Sequence, residues 1–294
     1  MRKPLLILLC LILAGIFFSY GNALKKNIEV RKQINLFLKR SEEYSQQFYD
    51  TDINGTTIKY TTVSRETKEK KDKRSVFYDF EKSLLGNTGD ILVTRDSPFP
   101  QHKLLHEFVS FYFGGHAALV DEGFVYEATG MTNQEGAILS SIFHNPDKEH
   151  NIDSSVSKKK NYWLKDNVRS KNDPSYKFYG PFYRPEFILL RVKSETEARI
   201  EGAVNFVKRT YEGNRLYNYL FFIDTKNKFY CTDLISRAYQ AAFDNEFSVS
   251  FPKVLNDRFI TSVDDIILSE DTYIVAHVII NEGVVEITYI EDQY

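Results

Sequence analysis

The chain is poor in several things that would narrow its function. It has 294 residues with only two cysteines, two methionines and one tryptophan. Two cysteines, Cys10 and Cys231, cannot build a disulfide scaffold. Net charge is −2, from 38 basic and 40 acidic residues, so no basic surface for nucleic acid is expected. Internal repeats and low-complexity tracts are missing. No HExxH pair is present: "HEFVS", starting at His106, has Ser110 where the second histidine would stand. With one cysteine outside the N-terminal run and no carboxylate–histidine repeat, zinc chemistry is not expected.

What is present is an ordinary globular composition, 43% hydrophobic and 27% charged, with an aromatic-rich core expected from 19 Tyr and 23 Phe. The N-terminus stands apart. Arg2 and Lys3 precede an apolar run from Leu5 to Tyr20, and Gly21-Asn22-Ala23 supplies the small residues of a cleavage point. Residues 1–23 read as an export signal or as a retained membrane anchor. The run is shorter than the roughly 20 residues of a spanning helix. Either way the body is expected outside the cytosol: secreted, periplasmic or membrane-anchored. Leu9 precedes Cys10, which does not suit a lipoprotein signal. If the segment is removed, Cys231 is left without a disulfide partner.

Residues 24–50 have a helical pattern through Leu24, Ile28, Ile34, Phe37, Leu38, Tyr44 and Phe48. "TTIKYTTVS" (56–64) alternates as a strand. The mixed-sign run "RETKEKKDKR" (65–74) is expected to be a solvated loop or exposed helix. From Gly89 the pattern becomes "GDILVT" (strand), residues 101–113 (amphipathic helix) and "HAALV" (strand). A turn at Asp121–Gly123 and the returning strand "FVYEAT" complete a hairpin. Residues 144–175 are polar and aperiodic, and are expected to be an inserted surface loop or lid. "EFILLRVK" is a strand and residues 195–211 a helix. After Cys231, the apolar residues Leu234, Ile235, Ala238, Tyr239 and Ala242 fall at helical spacing. The end, from Thr272, reads as a second hairpin. Strands and helices mix without regular alternation, which defines an α+β class. The division expected is a signal or anchor at 1–23, a helical and strand extension at 24–85, and the main domain at 86–294.

Cys231 in "KFYCTDLISRAYQ" stands at the start of its helix. The positive end of the peptide dipoles favours thiolate there, against an ordinary thiol pKa of about 8.5. A neighbouring imidazole would complete an acid–base pair, and a third polar group would orient it. Of the six histidines, His144 and His150 lie in the polar insertion. His277 sits in an apolar strand, as a satisfied structural histidine does. His116 opens a strand after Gly114-Gly115, small residues that would leave room for substrate. Glu127, on the returning strand, falls close to opposite and can hold the ring. A strand-edge histidine with no role remains open at this point.

"GDILV", "GGHAALV" with "VYEATG", "GNRLYNYLFF" and "KFYCTDLISRAY", in that order, resemble the permuted papain-like cysteine hydrolases of the NlpC superfamily, in the YaeF/YiiX-type permuted amidase branch. Lecithin retinol acyltransferases are more distant relatives of that family. The resemblance covers roughly residues 86–270. It implies a circularly permuted papain-like core with an antiparallel sheet. It also implies Cys231 as nucleophile, His116 as base and Glu127 as third member, with Tyr217 and Tyr230 lining the substrate site. Thr232 and Asp233 replace the family's usual serine and glutamate. The function implied is an exported thiol amidase or peptidase acting on an amide-bearing substrate, cell-wall peptide or lipid, with no cofactor and no metal. Two alternatives stand beside it: a lipid-directed hydrolase or acyltransferase on the same site, and a binding module without activity. Membrane proximity would come from the N-terminal segment.

Overall fold

The computed structural model describes residues 2–44, 47–53, 56–66, 69, 72–145, 148–193, 196–221, 227–243 and 261–291. Among these, nine strands form one sheet in the order β1-β2-β11-β10-β7-β3-β4-β5-β6. The strands are β1 (Gln47–Ile53), β2 (Thr56–Val63), β3 (Ile91–Thr94), β4 (His116–Asp121), β5 (Phe124–Ala128), β6 (Val156–Lys160), β7 (Glu186–Val192), β10 (Thr272–Asn281) and β11 (Val284–Ile290). Every neighbour is antiparallel except β2 with β11. Two short strands, β8 (Leu216–Tyr217) and β9 (Lys228–Phe229), pair separately. The helices are α1 (Arg2–Tyr44), α2 (Lys103–Tyr112), α3 (Ala137–Phe143), α4 (Tyr176–Tyr179), α5 (Glu197–Glu212), α6 (Cys231–Phe243) and α7 (Val263–Leu268). The class is α+β with a large, mostly antiparallel sheet.

The central strands are apolar on both faces because helices cover them. Ile91, Leu92 and Val93 of β3 and Leu189 and Leu190 of β7 are fully buried. Helix α6 turns Leu234, Ile235, Ala238 and Tyr239 inward, all at 0% exposure, and packs against β4 and α5. Both hairpins are closed by two-residue turns with positive φ at both positions: Glu122 and Gly123 in one, Glu282 and Gly283 in the other. Those conformations match the strand twist and fix Asp121 opposite Phe124 and Asn281 opposite Val284.

The extension at 24–85 joins the same sheet through β2, which lies along β11. Three expectations change in these regions. The helix over 24–50 ends at Tyr44, and Phe48 lies in strand β1. The helix buries Ala23, Val30, Ile34 and Phe37, whereas Leu24 and Ile28 stay exposed. The charge run 65–74 is not simply solvated. Arg65 is buried and donates to the carbonyls of Glu291, Asp72 and Arg74, while Glu69 is buried against Arg40. Opposite charges within reach fold the run onto the body.

The third change is in residues 144–175. This stretch supplies edge strand β6, paired with β5 from Phe124↔Lys160 to Ala128↔Val156. Its lysines are sited where charged edge residues discourage further strand pairing. Trp163 is fully buried in the core. It packs on Tyr183 at 4.8 Å and Phe187 at 5.4 Å between ring centroids.

Candidate active site

His116 opens β4 and Glu127 lies on β5. With Leu119 opposite Tyr126, the same register carried outward places Glu127 across from Ala118. Glu127 is therefore diagonal to His116 and on the same face of the sheet, within side-chain reach. His116 Nε2 is 2.9 Å from Glu127 Oε2. The carboxylate has two further donors. Tyr162 Oη donates to Oε2 at 2.9 Å and Lys159 Nζ to Oε1 at 3.0 Å. Glu127 is fully buried and His116 nearly so.

Cys231 is the first residue of α6 and is half-buried. The first helical hydrogen bond runs from Leu234 N–H to the Tyr230 carbonyl at 2.9 Å, so the N–H groups before it point out of the helix start. The start is held from outside the helix: Thr232 Oγ1 donates to the Thr261 carbonyl at 2.5 Å. The Cys231 side chain lies near enough to the His116 imidazole to help raise its pKa. Carboxylate, imidazole and thiol are thus gathered from one hairpin and one helix terminus.

The electrostatics follow from that grouping. Burial presses His116 toward its neutral form, but Tyr183, Cys231 and Glu127 outweigh it and hold its pKa well above 6.5. Burial likewise opposes ionisation of Glu127. The hydrogen bond and charge of His116, with Lys159, win and lower its carboxyl from 4.5 to about 2. A protonated imidazole held by a fixed carboxylate near a thiol is an arrangement that stabilises a thiolate.

The glycines before His116 do a different job from the one expected. A Cβ on Gly115 would lie 1.9 Å from the Asp96 carbonyl oxygen, and Gly114, at φ +76°, abuts the Val263 side chain. They are required by close packing that seats β4, and do not leave an opening for substrate. Tyr217 packs against Gly130, whose Cβ would meet the ring at 2.7 Å, and meets Tyr219 edge-on at 4.9 Å between centroids. Its pKa is pushed well above 10 by burial and then by the charge of Cys231. Tyr230 is buried, and its hydroxyl accepts the Thr261 N–H at 3.0 Å. That bond makes it a support for the helix start rather than a free side chain facing substrate.

Three residues of the site went unrecognised in the sequence: Lys159 and Tyr162, which hold Glu127, and Tyr183, edge-on to His116 at 6.3 Å. Lys159 and Tyr162 lie in the polar stretch taken for a loop. Alternation in "VSKKKNYW" was the available signal, obscured by three consecutive lysines. His277 is the structural histidine expected, buried and 2.8 Å from Glu186. Among the described residues, no group of three His, Cys, Asp or Glu side chains is arranged to hold a metal ion. No helix among them is long and apolar enough to cross a membrane.

No protein family, no curated protein and no solved structure matches the chain.

Proposed function

We propose that the chain is an exported cysteine hydrolase that cleaves an amide bond through an acyl-thioester on Cys231, on a permuted papain-like core. The observation that carries this is the buried pair Glu127–His116, 2.9 Å apart, with Cys231 at the start of α6 close enough to raise the imidazole's pKa. The order in the chain, histidine strand first and cysteine helix last, is that of the permuted branch it resembles.

The steps balance on these groups alone. His116 takes the thiol proton, and the Cys231 sulfur attacks the carbonyl carbon to form a C–S bond. N–H groups in the first turn of α6 are placed to receive the oxyanion. His116 then gives its proton to the amine as the C–N bond breaks. Water, deprotonated by His116, attacks the thioester, and the acid leaves as the thiol is restored. Glu127 keeps the ring oriented and stabilises the imidazolium. Tyr217, whose phenol feels the charge of Cys231, is the side chain we assign to line the substrate.

A second reading, transfer or hydrolysis of a lipid acyl group, has one observation in its favour. The exposed apolar helix α2 ends at Tyr112, and only Phe113, Gly114 and Gly115 separate it from His116.

The test is labelling of the purified chain with an electrophilic thiol probe, followed by mass spectrometry of products from cell-wall fragments and from lipid extracts. Selective labelling at Cys231 that drops in His116→Ala supports the hydrolase. Equal labelling in both, with no product from either source, leaves a binding module.

A further inference from the structure

We infer that helix α2 and the N-terminal half of α1 form one lipid-facing surface, which seats the protein on a bilayer with the β4 edge of the site turned toward it. Helix α2 is amphipathic, yet none of its ten residues is buried. Leu104 is 83% exposed, Phe108 52% and Leu105 43%. Beside it, Leu13, Ile16, Phe17, Phe18 and Tyr20 of α1 are all exposed. The two elements are joined. Tyr20 stacks on Phe111 at 5.3 Å, and Asn27 donates to the carbonyls of Ala23 and Phe111 at 2.8 and 2.9 Å. A cleft lined by Gly15, Ile16, Ser19, Phe108, Tyr112 and Phe113 makes the apolar surface continuous. Uncovered apolar surface of this extent marks an interaction site.

The occupant follows from the directions. At about 100° per residue, Leu13, Ile16, Phe17, Phe18 and Tyr20 spread over about 200° of the helix circumference. A protein partner covers one side of a helix, whereas hydrocarbon covers all of it. The sixteen-residue run Leu5–Tyr20 is about 24 Å long as a helix, short of the roughly 30 Å hydrocarbon core. It therefore enters the bilayer without crossing it, and α2 lies at the interface as an amphipathic helix does. Polar Asn22 and the basic Lys25 follow at headgroup level, both exposed, while Lys26 turns to Asp265 at 2.8 Å. This inference holds whether or not Cys231 is a nucleophile.

The experiment uses the full-length chain and vesicles of phosphatidylethanolamine and phosphatidylglycerol. In flotation, the parent is expected with the vesicles. Leu104→Glu with Leu105→Glu should lower the partition constant about tenfold or more, as two large apolar groups no longer enter hydrocarbon. Neither residue is buried, so thermal unfolding in buffer should not move. Brominated lipid should quench the indole added by Phe108→Trp beyond any quenching of the parent, whose one tryptophan is in the core. Equal flotation of parent and double variant overturns the inference, as does absence of extra quenching. So does a stable dimer in buffer that fails to bind vesicles, because a second copy would then be the cover.

Discussion

His116 and Glu127 meet across the β4–β5 hairpin on a diagonal, 2.9 Å apart, rather than from facing positions. A facing pair would stand side by side. Nε2 of the ring is committed to the carboxylate, and Cys231 at the start of α6 acts on the same imidazole.

Cys231→Ala should abolish turnover, by about a thousandfold or more, and leave the fold unchanged. Alanine is small and a good helix former at the first position of α6. Circular dichroism and thermal unfolding check the fold, and single-turnover assays on the identified substrate check the rate. Full activity in this variant rules out the acyl-thioester.

Glu127 and His116 each contribute to the pH dependence of stability. Glu127 is lowered from 4.5 to about 2, so its stabilising contribution is complete above pH 4.5 and is lost as pH falls through 2. His116 is raised above 6.5, so its contribution is complete below pH 6.5 and is lost as pH climbs through the raised value. Both are present in full between pH 4.5 and 6.5. Urea unfolding across pH should show a plateau there and a decline on each side. In Glu127→Gln the acid decline should shrink. An unchanged acid limb would mean that Glu127 does not carry the linkage.

The hairpin that brings these two together was legible because apolar strands flank Asp121-Glu122-Gly123. Its register was not. It depends on Glu122 and Gly123 both taking positive φ, which pairs Asp121 with Phe124 and shifts Glu127 two residues from the position facing His116. Helix α6 was readable from Leu234, Ile235, Ala238 and Tyr239, since burial on one face imposes helical spacing. Strand β6 was not, since edge strands bury little and carry charge. The stretch 144–175 reads as a loop or lid because it is polar, but Trp163 within it is buried against Tyr183 and Phe187, distant in sequence. Likewise Arg65 and Glu69 read as solvated because their partners, Glu291 and Arg40, lie in other elements.

Lys159 and Tyr162 compete with His116 for the Glu127 carboxylate, which predicts opposite shifts in the pH–rate profile. Tyr162→Phe removes a donor, and Lys159→Met removes a donor and a cation beside the imidazolium. Both leave more of the carboxylate charge to His116, so the alkaline limb should move to higher pH. Glu127→Gln removes the charge itself, so that limb should move to lower pH, with a smaller loss of rate than Cys231→Ala. Movement in one direction for all three variants would mean that the residues act only on folding.

Trp163 provides a direct reading of the same proton. Its ring lies stacked beside His116, with centroids 6.3 Å apart and planes 19° from parallel. It is the chain's one tryptophan, and it is shielded from water. An imidazolium at the face of an indole draws on its π electrons and quenches emission, whereas a neutral imidazole does so far less. Emission should therefore rise as pH passes through the His116 pKa, above 6.5. His116→Gln should abolish the step, and Glu127→Gln should move it to lower pH. Capping Cys231 with a neutral probe removes a partner that holds the proton on the ring, so the step should then also move down. If the step keeps its position after capping, the thiol and the imidazole do not share a proton, and His116 cannot serve as the base for Cys231.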